Sequence, residues 1–282
     1  MPVQYPLIIA TLCQRLGLGT YAISLIAATL LGLKLNLANI ALLSLIVYCA
    51  GLLASATHLG KPQKMMNALA NTKSHLTQES LIAPFVCLFL FLQAIDGWFI
   101  TLSPSILSIV QVLAVVFSAA FVWSTGLVYQ LYARPAWKTK LVSINFFLSA
   151  ITLGAVGTYF IAIYSNLDQL NELLYLVTLS VVLLIAGQLY YSKYVSKLGY
   201  GVAINVFDKE LVVPYTCWII TGVITPILML IAIFFAGSSM QLASTLLLSS
   251  ILSLVFWRMF FFLASKIIKF FPQYESDMTT DY

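Results

Sequence analysis

"ILSIVQVLAVVFSAAFVWSTGLVYQL" (residues 106–131) runs for 26 residues without a charged side chain. A helix needs about 20 predominantly apolar residues to cross the hydrocarbon core of a bilayer. This stretch is therefore read as a membrane span, and it sets the scale for the rest of the chain. Working outward, seven further runs of similar length and character lie at 6–32, 39–57, 81–101, 141–164, 173–192, 212–236 and 242–264. Turn or charge signals separate them: Lys34–Asn39, the stretch 57–80, "SPS" at 103–105, "ARPAWKTK" at 133–140, "SNLDQLNE" at 165–172, the polar stretch 193–210 and "GSS" at 237–239. Within lipid only helices and closed barrels satisfy every backbone amide and carbonyl. Strict apolar–polar alternation is absent. The expected fold is an all-α integral membrane protein, a bundle of eight transmembrane helices.

The whole-chain composition agrees. The 282 residues are 61% hydrophobic and 8% charged, against roughly 25% charged in soluble domains. Residues 1–282 read as a single membrane domain with no separate soluble domain. The opening "MPVQYPLIIATLCQRLGLGTY" lacks a basic leader, and Gln14 and Arg15 interrupt its apolar run, so no cleaved signal peptide is expected. The net charge of +5 suits anionic lipid or an acidic partner. No basic stripe interleaved with aromatics is present, which argues against nucleic acid. Cys13, Cys49, Cys87 and Cys217 are scattered through apolar runs without a CxxC pair. They read as small buried residues, not as ligands of an iron–sulfur cluster.

Eight spans put both termini on one side of the membrane, here face A. Face A carries Lys61, Lys64, Lys73, Arg134 and most of the other lysines, whereas face B carries Lys34 alone among the basic residues. By the positive-inside rule face A is cytoplasmic. A basic face is also what an acidic soluble partner would dock against.

Residues 57–80, "THLGKPQKMMNALANTKSHLTQES", hold both histidines, His58 and His75, and end in the carboxyl of Glu79 at the mouth of the third span. The segment around Lys61–Leu69 has the spacing of a short helix lying on the membrane surface. "TQES" resembles a helix start, with Thr77 as cap and Glu79 in the first turn, where a carboxylate would complement the helix dipole. His58 ends the second span and Glu79 opens the third. If these helices are antiparallel neighbours, an imidazole and a carboxyl meet at one depth. Such a pair suits hydrogen bonding to, and proton removal from, a lipid-soluble quinol.

The same loop resembles the signature loop of the DmsC family, the membrane anchors of anaerobic dimethyl-sulfoxide reductase. "YPLIIATLCQRLGLGTY" resembles that family's opening, and "FVWSTGLVYQLYARPAWKTKLVSINFFLSA" its middle signature. Near the end, "FWRMFFF" keeps Arg258 and the aromatics of the family pattern but has Trp257 where a glycine is usual. The resemblance implies a menaquinol-binding anchor in a bacterial plasma membrane. It implies an iron–sulfur subunit and a molybdenum catalytic subunit as partners, and no haem in the anchor itself. It also implies that His58 and Glu79 are the quinol-site residues. Two histidines in one loop likewise give no bis-histidine haem site across the bundle. The family's catalytic subunits are generally exported, which would make face A periplasmic and its charge a docking feature involving Lys61, Lys64, Lys73 and Arg134. Alone, the chain would catalyse nothing complete.

Arg15, inside the first span, either has a functional role or snorkels to face A. Asp96 reads as an interfacial helix end beside Trp98. Tyr129 and Asn145 read as interhelical hydrogen-bonding groups that could also line a pocket. Trp123, Trp137 and Trp218 read as interfacial belt residues. Two other functions compete with a quinol-oxidising anchor. A secondary transporter would carry ionisable groups near the midplane of several spans, and this chain has almost none. A purely structural anchor would have no quinol site.

Overall fold

A computed structural model describes residues 5–57, 71–72, 74–96, 98–131, 134–167, 170–198 and 208–265. Eight of its helices are long and apolar enough to cross a membrane: α1 (Tyr5–Leu30), α2 (Leu37–Thr57), α3 (His75–Ile95), α4 (Pro104–Val128), α5 (Leu141–Tyr164), α6 (Asn171–Ser196), α7 (Lys209–Ala236) and α8 (Met240–Leu263). The chain is a multi-pass membrane protein, as its hydropathy implied. The proposed surface helix around Lys61–Leu69 lies outside the described residues.

The boundaries differ where polar chemistry sits at a helix end. The third helix starts at His75 and ends at Ile95, whereas the apolar run suggested 81–101. Its first turns are polar and so fall outside any hydropathy window. At the other end Asp96 leaves the helix with extended backbone, and its carboxyl accepts a bond from the Leu102 amide at 3.0 Å. Trp98, Phe99 and Ile100 are apolar but belong to that turn, and the Trp98 indole donates to Asn39 at 3.2 Å. Asp96 is thus the helix end that the sequence suggested.

α1 packs against α2, α4, α5 and α8, and α5 packs against α1, α4, α6 and α8. These two are the most buried of the eight helices. α2 also touches α3, α3 touches α4, and α7 touches α8. The result is two groups of four helices, α1–α4 and α5–α8, joined chiefly along α1 and α5. The seam is made of small residues. A Cβ on Gly19 would strike the Ala150 carbonyl oxygen, and one on Gly154 would strike the Gly19 carbonyl oxygen. Only glycine allows backbones this close, and lipid offers no hydrophobic drive between helices, so close packing is what joins them. Ser24 and Thr158 reinforce the seam with a hydroxyl–hydroxyl bond of 2.9 Å.

α7 is not uniform. Residues Ile219–Ile224 form a π-helical turn, between Pro214 and Pro226. Pro226 has no amide hydrogen to donate back to the preceding turn, which favours the wider winding. Gly222 in that turn lies directly against Ser253 of α8.

Face A is bound together by the loop before α5. The Trp137 indole donates to the Phe261 carbonyl at 3.1 Å, and the Tyr191 hydroxyl donates to the Ala136 carbonyl at 3.0 Å. Trp137 and Trp218 are buried, at 5% and 0% exposure. Neither is the interfacial belt residue that the sequence suggested; each has a hydrogen-bond acceptor inside the bundle. Trp123, 42% exposed, does face outward.

Candidate functional site

Glu79 lies in the second turn of α3, not in the first. Ser74 occupies the cap position without a side-chain bond, and Thr77 is buried inside the helix. The dipole role suggested for Glu79 therefore gives way to a specific contact. Its Oε1 accepts a hydrogen bond from the Thr125 hydroxyl of α4 at 2.7 Å. The same hydroxyl lies 2.9 Å from the Phe121 carbonyl, one turn back along α4.

His58 lies outside the described residues, as do Lys61, Lys64 and Lys73. The level at which α2 ends is nonetheless fixed by its register with α3. Cys49 of α2 and Cys87 of α3 lie next to one another between these packed helices. Thr57 lies eight residues beyond Cys49 and Glu79 lies eight residues before Cys87, each about 12 Å along its helix axis. Thr57, the last residue of α2, is thus level with Glu79. Arg134, the fourth basic residue considered for docking, is half-buried. Its guanidinium donates to the Ser265 hydroxyl at 2.7 Å and sits 4.4 Å from the centre of the Trp137 ring.

Arg15 does not snorkel. It is 2% exposed, and its Nη1 donates to the Thr11 carbonyl one turn back along α1. Its guanidinium carbon sits 4.0 Å from the centroid of Phe146 on α5. Arg258 of α8, 3% exposed, reaches the same ring at 3.5 Å. Two cations thus share one aromatic ring inside the membrane domain. Arg15 Nε and Nη2 and Arg258 Nη1 have no hydrogen-bond partner among the described residues. Glu79 and Tyr129 both lie within electrostatic reach of Arg15. Tyr129 closes the face A end of α4, its ring packed edge-on to Trp137 and Phe261.

Buried charge in a membrane is costly and usually marks function. Here Arg15 lies within electrostatic reach of the Glu79 carboxyl, and Arg258 shares the Phe146 ring with Arg15. Asn145 beside this cluster makes the interhelical bond expected of it, donating to the Gly187 carbonyl of α6 at 3.2 Å, and it also donates to the Leu141 carbonyl one turn back along α5 at 2.9 Å.

The sequence pointed to Glu79 and Arg15 but gave no role to Thr125, Phe146 or Arg258. Arg258 carried the same signal as Arg15, a lone charge in an apolar run. Thr125 and Phe146 carry no signal of their own, because hydroxyls and phenyl rings are common in spans.

The profile of a protein family described as "DMSO reductase anchor subunit (DmsC)" matches residues 2–280. The chain matches no curated protein.

Proposed function

From the premise that this chain belongs to the DMSO reductase anchor subunit (DmsC) family, we propose that it oxidises menaquinol at Glu79 and passes the electrons to an iron–sulfur partner. As the membrane anchor of a DMSO reductase-type complex, it associates with a catalytic and an iron–sulfur subunit. On this reading the molybdenum chemistry stays with the catalytic partner, and the anchor works without a haem, in a bacterial plasma membrane.

Oxidising a quinol to a quinone releases two protons and two electrons. The electrons leave to the partner's clusters, and the protons need acceptors in the anchor. Glu79 takes one. The observation that carries this reading is the double reach of the Thr125 hydroxyl. When Glu79 is ionised, Thr125 donates to it. When Glu79 has received a proton, its own O–H donates to Thr125, whose hydrogen turns to the Phe121 carbonyl. Both protonation states keep a full set of hydrogen bonds, so proton uptake needs no rearrangement of the helices. Arg15 and Arg258 stabilise the oxygen that becomes anionic as the proton leaves. His58, the residue that follows Thr57, takes the second proton of the quinol in this scheme.

Docking of the partner falls to Lys61, Lys64 and Lys73 on face A. The inward bonding of Arg134 supports leaving it out of that set and giving it to the face A scaffold.

The decisive experiment is Glu79→Gln in the assembled complex. Partner subunits should remain on the membrane, while quinol-driven reduction of their clusters falls by about 100-fold or more, the usual worth of a positioned proton acceptor. A variant that oxidises quinol at the normal rate would remove Glu79 from the reaction.

A further inference from the structure

We propose that the groove between α1, α4 and α5 is the seat of the quinol's polyprenyl tail. The inference rests on the reading of Glu79 as the head-group site. The groove has a volume of about 370 Å³, within the range of ligand sites, roughly 300–1,000 Å³. Its walls include Leu18, Ala22 and Ile26 of α1 and Val115, Ala119 and Val122 of α4, over a floor from α5. They are carbon surfaces apart from the hydroxyl of Ser118.

Its position is what identifies the occupant. On α4, Val122 lies one turn from Thr125, the partner of Glu79, and on the same side of the helix. On α1, Leu18 lies one turn from Arg15. On α5, Phe147 of the floor follows Phe146, the ring that carries both guanidinium groups. All three helices thus enter the groove where the polar cluster ends. From Arg15 to Ile26 is eleven residues, about 16 Å along the axis. Ile26 is 37% exposed on the outside of the bundle, so the far end communicates with lipid. Small alanines in the walls, Ala22, Ala119 and Ala150, leave room for the methyl branches of an isoprenoid chain. A molecule with a hydrogen-bonding ring and a long branched hydrocarbon attached to it matches this sequence of environments. A second cavity among the described residues, about 200 Å³ between α1, α2, α5 and α8, has no wall on α4 and so does not continue from Thr125.

The test uses the purified complex with its partner subunits and two quinol donors. They share one head ring, and one carries several isoprene units while the other carries none. The double variant Ala22→Leu/Ala119→Leu fills the groove. KM for the long-tailed donor should rise about tenfold or more, the scale of a steric mismatch in an apolar pocket. KM and kcat for the tailless donor should not change. An unchanged KM for the long-tailed donor would overturn the proposal and leave the groove to an ordinary phospholipid chain. Should both donors suffer equally, a quinone analogue with a photoreactive group at the tail end decides the matter on the unaltered complex. Labelling on α1 near Ile26 or on α4 near Val115 supports the proposal, and labelling elsewhere overturns it. Glu79→Gln assayed with the tailless donor reads the head site alone, so the two readings fail separately.

Discussion

The two four-helix groups treat their buried polar atoms differently. In α1–α4, Arg15 Nε and Nη2, Tyr21, Ser44, Tyr48, Gln93 and Ser118 each hold a buried polar atom without a partner among the described residues. In α5–α8 only Asn145 Oδ1, Gln188 Nε2 and Arg258 Nη1 do so. The second group instead spends its large polar rings on internal bonds. The Trp218 indole donates to Gln188 at 2.8 Å and the Tyr194 hydroxyl donates to the Pro135 carbonyl at 3.2 Å. Trp218 packs at a tilt against Trp257, ring centres 4.9 Å apart, and Trp137 stacks on Phe261 at 5.0 Å. Lipid cannot hydrogen-bond, so each orphaned group costs free energy unless something polar arrives. Under the proposed function, α5–α8 would be the scaffold and α1–α4 would carry the ligand chemistry, with Phe146 and Arg258 reaching across from the scaffold.

That division can be broken most severely at the seam. Gly154→Leu drives a side chain into the α1 backbone. It should abolish assembly of the complex, read as loss of partner subunits from washed membranes. Next comes Thr125→Val, which keeps the shape of the side chain but removes the hydroxyl that serves both states of Glu79. It should lower quinol oxidation by about tenfold, less than Glu79→Gln, with the complex intact. Trp218→Phe in the scaffold should leave quinol oxidation unchanged. It should lower stability by about 1–3 kcal/mol, as expected when a buried acceptor loses its donor, measured as a downward shift in thermal melting of the solubilised chain. A drop in quinol turnover without a change in melting would place Trp218 in the site and blur the comparison. The smallest effect is expected at Ser44→Ala. Its hydroxyl already lacks a partner, so melting should shift by less than about 1 kcal/mol in either direction.

Much of this architecture was legible in the sequence, because length and hydropathy alone decide whether a helix can span a bilayer. Helix ends were less so. The first turns of α3 carry His75, Gln78 and Glu79, and hydropathy discards such residues although they are helical. The π-helical turn of α7 was legible at most as two prolines, twelve residues apart, inside one apolar run. Within the site, Glu79 stood out because carboxyls are scarce in this chain, and Arg15 because a charge interrupts an apolar span. Thr125 and Phe146 became visible only once α3, α4, α1 and α5 were placed side by side. Their roles come from what lies opposite them, and one chain read in order cannot show that. The buried indoles of Trp137 and Trp218 misled for the same reason: tryptophan near a span end has the same appearance in sequence whether it faces headgroups or a carbonyl of its own protein.

The stacking of Arg15 on Phe146 has a consequence for biogenesis. Ribosomes make the arginine 131 residues before the ring that will cover it. α1 is also the least hydrophobic of the eight spans, with a mean hydropathy of 1.2 against 2.6 for α7. During synthesis the first helix therefore enters the bilayer weakly and with an uncovered guanidinium, and waits through three further insertions for its aromatic cover. Nascent chains released before α5 emerges would carry that exposed charge as a mark of incompleteness, available to membrane quality-control proteases until the seam closes.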